Sequence, residues 1–285
     1  MSLVVVDPGH LTLVQDGGRP GLGAQGVGAS GAFDRAAMRQ VHALLGDPPD
    51  AAVLEVLAGG LRLRAEADHR VAVTGGIGPV HVDGEHVEHG RAFVVHAGQE
   101  VTVGTVQLGL RAYVGVAGGL QVEAVLGSRS ADTMSGLGPP RLAADDTLEV
   151  GTAAHVAEVE DVPALLTSGA TTVAAVPGPR DDWFTDEAVR TFFSSAWTVS
   201  PRSDRIGVRL EGPELQREVT AELPSEPCVR GSVQVVAAGQ PVVLGPDHPV
   251  TGGYPVIAVA ADNHVDRLAQ VRPGEVVRFT RMPAP

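Results

Sequence analysis

The chain has 285 residues, 44% of them apolar and 19% charged, the make-up of a globular protein of one large or two medium domains. A formal net charge of -13 leaves no cationic field for a phosphate backbone, so no nucleic-acid partner is expected. All 21 Lys/Arg positions are arginine, and without lysine the chain can form no Schiff base, no P-loop phosphate contact and no covalent link to biotin.

Met1 to Gly9 carries no cationic region and only a short apolar run, so neither a signal peptide nor membrane insertion is expected. The lone Cys228 can make no intramolecular disulfide, which fits a cytoplasmic protein. Gly26 to Gly31 has the spacing of a dinucleotide fingerprint, but a glycine-rich loop precedes it where the fingerprint needs a buried strand. What remains is a tight loop that delivers Ser30 and Asp34 to a helix start, a place suited to an anion. The helix is predicted over Asp34 to Leu45, with Asp34 as cap, Ala37, Met38, Val41, Leu44 and Leu45 on one face, and Gly46 as stop.

Short valine- and leucine-rich runs then follow at Val53 to Leu57, Arg62 to Arg64, Val71 to Thr74, Val101 to Val106 and Leu108 to Val116, punctuated by Gly and Pro. Between them, His81 to Val87 alternates around Asp83-Gly84, a two-residue hairpin signal. Residues 153–170 are acidic, rich in small side chains and weakly periodic, and are expected to connect two β-rich parts, 1–152 and 171–285, between which segments can be exchanged. In the second part a helix is predicted over Thr185 to Ser194, with Val189, Phe192 and Phe193 as its apolar face, and another over Val265 to Val271. Strands are predicted at Trp197 to Ser200, Val233 to Val236, Val242 to Gly245, Val256 to Ala260 and Val276 to Thr280.

The polar loops stand out against this apolar background. Gln15-Asp16-Gly17-Gly18-Arg19 and Ser203-Asp204-Arg205-Ile206-Gly207 each bring Asp, Arg and Gly together, and Thr251-Gly252-Gly253-Tyr254-Pro255 sets a hydroxyl and a phenol beside a glycine turn. Loops of this composition bind ligands more often than core strands do. His81, His86 and His89 form no metal set by this reading, because hairpin positions near a turn face solvent.

With Pro177-Gly178-Pro179-Arg180-Asp181-Asp182-Trp183-Phe184 and Ser30-Gly31-Ala32-Phe33-Asp34, these loops closely resemble the biotin-dependent carboxyltransferase family, in the branch of allophanate hydrolase subunit 2, also called KipA-like or the C subunit of 5-oxoprolinase. The resemblance implies a mainly β fold of two cyclophilin-like β-barrel subdomains with a few short helices. It implies partners, a KipI-like B subunit and the A subunit of the same complex, which together open 5-oxo-L-proline to L-glutamate with ATP. Two other roles in the family are a regulator that binds a KipI-like histidine-kinase inhibitor and a carboxyltransferase that moves a carboxyl group from carboxybiotin to urea.

The expected cofactor is ATP, at a site shared with a partner protein, with magnesium as its companion ion. Asp34, Asp204 and Arg205 are the expected catalytic residues; Arg19, Ser30, Arg209, Thr251 and Tyr254 are the expected substrate-binding residues. Guanidinium groups suit the carboxylate or phosphates, and the two aspartates suit orienting them or taking a proton. All these loops are expected to converge on one mouth of the strand scaffold.

Overall fold

The computed structural model describes residues 1–153, 159–166 and 169–283. The chain divides into two compact units that exchange short segments: Met1–Arg19, Ser30–Asp132 and Gly136–Leu166 form the first, and Pro20–Ala29, Thr133–Ser135 and Thr167–Pro285 the second, each as far as its residues are described. Residues 154–158, 167 and 168 of the expected connection lie outside the described residues. Part of what precedes 167 belongs to the first unit, where Val162 N–H donates to Gly90 O at 2.9 Å.

The fold is mainly β. The first unit holds two sheets. One has the strands Thr147–Glu149, Ser2–Pro8, Leu61–Ala65, Glu100–Val103, Val80–Val82 and Glu85–Val87 side by side; the other has Leu11–Gln15, Val53–Leu57, Leu108–Val116, His69–Ile77 and Ala92–Val95. Side chains on a strand alternate between faces. In Leu61–Ala65 this buries Leu61, Leu63 and Ala65 and turns Arg62 and Arg64 outward, with Arg62 3.6 Å from Glu100. The apolar faces of both sheets share one core, including Leu3, Val5, Leu54, Val56, Leu63, Val73 and Val114. The predicted hairpin forms with His81 opposite His86, and Asp83 and Gly84 at its turn both have positive φ, 48° and 84°.

Helix α1, Arg35–Leu45, forms where its caps predict: Asp34 accepts a hydrogen bond from Ala37 N–H at 2.9 Å, and Gly46 closes the other end at φ 72°. Ala37, Met38, Val41, Leu44 and Leu45 bury against Val53, Ala72 and Tyr113. Close packing there depends on Gly115, because a Cβ at that position would overlap the Val41 side chain.

The second unit is built on a closed seven-stranded barrel in the order Thr171–Pro177, Val256–Ala260, Ser232–Val235, Pro241–Leu244, Gly207–Glu211, Ala196–Val199 and Val276–Arg281. The first and last strands close it as a parallel pair, and every other pairing in the barrel is antiparallel. Closure removes the open edges at which strands recruit other chains.

Helix α2, Asp186–Ser194, is capped by Thr185 and contributes Phe192, which stacks on Phe279 at 4.5 Å between centroids; Trp197 Nε1 donates to Phe192 O at 3.0 Å. Its fully buried face is Ala188 and Phe192, whereas Val189 and Phe193 are only half-buried. Helix α3 spans Asp262–Leu268 and not Val265 to Val271. The strand before it ends at Ala260, and Asp262 then sits in the first turn where the helix dipole favours an acid. At the other end the bonds tighten to i→i+3: Ala269 to Asp266 O, Gln270 to Arg267 O and Val271 to Leu268 O. Among the described residues no helix is long and apolar enough to cross a membrane.

Candidate functional site

In the first unit, the strand Leu11–Gln15 runs into a loop organised by Asp16, which is 4% exposed. A carboxylate only accepts, and its two oxygens have room for about four donors. Four are present: Oδ1 accepts from Gly18 N–H at 2.7 Å and from the hydroxyls of Ser128 and Ser130 at 2.6 Å each, and Oδ2 accepts from Arg129 N–H at 2.6 Å.

Gln15 and Arg19, on either side, hold neighbouring carbonyls of the same serine-containing stretch. Gln15 Nε2 donates to Ala131 O at 2.9 Å, and Arg19 Nη2 donates to Ser130 O. Arg19 Nε also donates to Val125 O at 3.3 Å. Ser30, at φ 53°, donates through Oγ to Ala131 O at 3.1 Å. Gly31, at φ 96°, passes so near Gly17 and Gly18 that a Cβ would come to 3.0 Å from Gly18 N.

Beside this loop cluster in sequence, the start of α1 is pinned by a buried Glu55. Its Oε2 accepts from Phe33 N–H at 2.8 Å and from the Tyr113 hydroxyl at 2.7 Å, while Asp34 N–H donates to the Tyr113 oxygen at 2.7 Å. Arg111 Nε lies 3.5 Å from Glu55 Oε1, and the Arg111 guanidinium carbon sits 4.7 Å from the Phe33 ring centroid. Burial, and then the charges of Glu55 and Asp34, push the Tyr113 phenol well above its ordinary pKa, so it stays protonated and donates to Glu55.

In the second unit, Asp204 spends its carboxylate on its own loop: Oδ1 accepts from Ile206 N–H at 2.9 Å and Gly207 N–H at 3.0 Å. Asp16 closes its loop in the same way on Gly18, so the two Asp-Arg-Gly loops share a side-chain turn as well as a composition. Arg205 is 3% exposed and forks onto Asp247, Nε to Oδ2 and Nη2 to Oδ1, both at 2.9 Å. Asp247 Oδ2 also accepts from the N–H and the hydroxyl of Thr133, at 2.9 and 2.7 Å. Burial pushes the Asp247 carboxyl up, but the charge of Arg205 and the bonds from Arg205 and Thr133 outweigh it and hold the group below the usual carboxylate range.

Arg209 is exposed and its Nε donates to Arg202 O at 3.2 Å. Thr251 is exposed, on the short strand Thr251–Gly252 that pairs with Glu226–Pro227. Tyr254 is 44% exposed, with the Arg217 guanidinium 6.0 Å from its ring centroid.

Arg19, Ser30 and Asp34 thus belong to the first unit, and Asp204, Arg205, Arg209, Thr251 and Tyr254 to the second. Sequence reasoning gave no role to Glu55, Tyr113, Ser128, Ser130, Thr133 or Asp247. Glu55 carried a legible signal, being a charged residue inside an otherwise apolar strand. Asp247, between Pro246 and His248 just after a strand, reads as an ordinary turn residue until its partner is known.

A family model, carboxyltransferase domain, subdomain A and B, matches residues 25–281. The chain belongs to this family. It is 36% identical to the C subunit of 5-oxoprolinase from Escherichia coli (strain K12), a match that covers 98% of this chain and 91% of that protein. The corresponding C subunit from Haemophilus influenzae is 31% identical, with 96% of this chain and 89% of that protein covered. In the solved structure of the K. lactis urea amidolyase, a region superposes with a TM-score of 0.93 at 26% identity; it covers 99% of this chain but 19% of that one.

Proposed function

We propose that this chain is the C subunit of an ATP-dependent 5-oxoprolinase, working with a KipI-like B subunit and the A subunit of the same complex to open 5-oxo-L-proline to L-glutamate. The observation that carries the reading is the end-to-end match with two proteins named as C subunits of 5-oxoprolinase, against a match with under a fifth of the urea enzyme. An unactivated lactam hydrolyses slowly because its amide is resonance-stabilised, and activation of its oxygen by ATP makes the ring carbon a better electrophile. In this reading ATP and magnesium bind at a site shared with a partner protein, in the cytoplasm.

The geometry divides the candidate residues by task. Arg19 and Ser30, held on the Asp16 loop, and the exposed Arg209, Thr251 and Tyr254 are proposed to face substrate or nucleotide. Asp204 and Arg205, already committed to their own loop and to Asp247, are proposed to act by positioning those surfaces. Asp34 is proposed to shape the anion-favouring start of α1.

The test is glutamate release from 5-oxoproline with ATP, using the three subunits together and then leaving out each in turn. Loss of turnover without this chain is expected; unchanged turnover would end the reading. The TM-score with the urea amidolyase favours a second reading, carboxyl transfer from carboxybiotin. That reading gains if turnover of an amide substrate requires a separate biotinylated protein.

A further inference from the structure

Arg217, in the second unit, is a half-buried cation that forms no ion pair among the described residues. Its backbone is stitched to residues 183–185: Thr185 N–H donates to Gln216 O at 3.3 Å, and Glu218 and Val219 N–H donate to Trp183 O at 2.9 and 3.2 Å. From that fixed base the side chain reaches the barrel, where Nη2 donates to Val235 O. The guanidinium carbon then lies 6.0 Å from the ring centroid of the 44% exposed Tyr254, a cation–π distance. Arg217 Nε and Nη1 have no hydrogen-bond partner among the described residues and are not sealed from solvent, unlike Arg19 Nη1, which is both unpartnered and closed to water.

Arg217 also lines a cleft of about 370 Å3, bounded by the 214–220 segment on one side and by the turn at Ala237 and Gly239 on the other. The two walls meet at one end. Leu215 N–H donates to Gly239 O at 3.0 Å, and a Cβ on Gly239 would come to 2.4 Å from Glu214 Cγ. The volume falls within the about 300–1,000 Å3 of sites for small molecules.

Burial lowers the Arg217 pKa from its ordinary value, and the Tyr254 phenol is the one group that works against this. The guanidinium stays charged all the same, so it has lost part of its water without gaining an anion in exchange. Its planar fork suits an oxyanion. Arg217 is the one cation among the residues lining the cleft, and Glu214 shares that lining. A single negative charge is therefore matched there, whereas a polyphosphate would carry charge that nothing in the cleft answers.

We propose that Arg217 binds the carboxylate of a small monoanionic acid in this cleft, beside Tyr254. Naming 5-oxoproline as that acid rests on the 5-oxoprolinase reading; the carboxylate site itself does not. Arg217 takes the anion-holding task that Arg205, forked onto Asp247, cannot perform.

The test uses the full chain, alone and assembled with its partner proteins, and three probes: 5-oxoproline, its uncharged amide 5-oxoprolinamide, and inorganic phosphate. In ligand-observed NMR titrations 5-oxoproline should bind about tenfold tighter or more than the amide, because only the acid offers a charged pair of oxygens. Arg217→Met, long and apolar, should erase the preference, and Arg217→Lys, which keeps the charge without the fork, should restore part of it. In the assembled complex Arg217→Met should raise KM for 5-oxoproline by about tenfold or more with little change in kcat, since the carboxylate is not the reacting group. The comparison of probes on the unaltered chain stands whether or not either variant folds.

Equal binding of acid and amide, binding of neither in either form, a preference that survives Arg217→Met, or phosphate binding as tight as that of 5-oxoproline would overturn the site. Glutamate release from 5-oxoproline is measured on the same assemblies. Turnover with an unchanged KM in Arg217→Met removes the carboxylate site alone, and an Arg217-dependent preference without turnover removes the oxoprolinase reading alone.

Discussion

Arg205 and Asp247 are joined by two hydrogen bonds of 2.9 Å, with side chains 4% and 0% exposed, across 42 positions of sequence. Removing one member of such a pair strands the other charge in the interior, which costs about 3–5 kcal/mol. Arg205→Ala should therefore lower the stability of the second unit by that order. Trp183 and Trp197 both lie in this unit, so denaturant unfolding followed by tryptophan fluorescence reads it selectively. The depressed Asp247 carboxyl adds a pH signature: its contribution is complete above the ordinary carboxylate pKa, about 3.9, and is lost as pH falls through its lower folded value. Asp247→Asn should flatten the fall in stability over that acid range, and an unchanged acid slope would remove the pair as its source.

Asp34 both caps α1 and stands among the candidate functional residues. Asp34→Ala should cost about 1 kcal/mol through loss of the cap, whereas Asp34→Asn keeps an accepting oxygen and should fold nearly as well. Turnover of the assembled complex by Asp34→Asn then separates the tasks. Retained activity assigns Asp34 to shaping the helix start, and loss of activity with unchanged stability assigns it to charge at the site.

Leu126 stands at φ 53° and Gly127 at φ 81° in the tight turn between Val125 and Ser128, and Leu126 is 51% exposed. A turn with both central residues left-handed favours Asn-Gly, and leucine is strained there by about 1 kcal/mol. Leu126→Asn should raise the thermal midpoint of the first unit, measured by calorimetry. A lowered midpoint would mean that the leucine side chain contributes packing that its exposure does not suggest.

Cys228 is 9% exposed, and burial, then the charge of Glu226, push its thiol above the ordinary value. A protonated, covered thiol is a poor nucleophile. Reaction with a thiol-specific reagent at neutral pH should be at least tenfold slower in the native protein than in denaturant, and Cys228→Ser should leave the assembled complex active. Equal rates in the two states would show that the thiol is open.

How much of this was legible in advance depended on the range of the interaction responsible. Helix α1 could be bounded from its own residues because a cap and a stop act within one turn, Asp34 on Ala37 and Gly46 on His42. Strand signals are equally local, alternation in Leu61–Ala65 and a short apolar run in Val53–Leu57, so both emerged close to where they were expected.

Composition and the polar loops were enough to suggest the family, since five motifs in order need no coordinates. The tertiary structure alone decided that one unit closes into a barrel while the other holds two sheets, because pairing is a choice among many similar apolar strands. It alone showed that Asp16 meets hydroxyls 112 and 114 positions away, that Thr133 meets Asp247 across 114, and that Gln15 and Arg19 each keep one atom unmatched among the described residues. A carboxylate, amide or guanidinium announces in the sequence that it requires partners, but distance along the chain says nothing of which ones; only the folded backbone, by bringing some donors and acceptors together and withholding others, answers that.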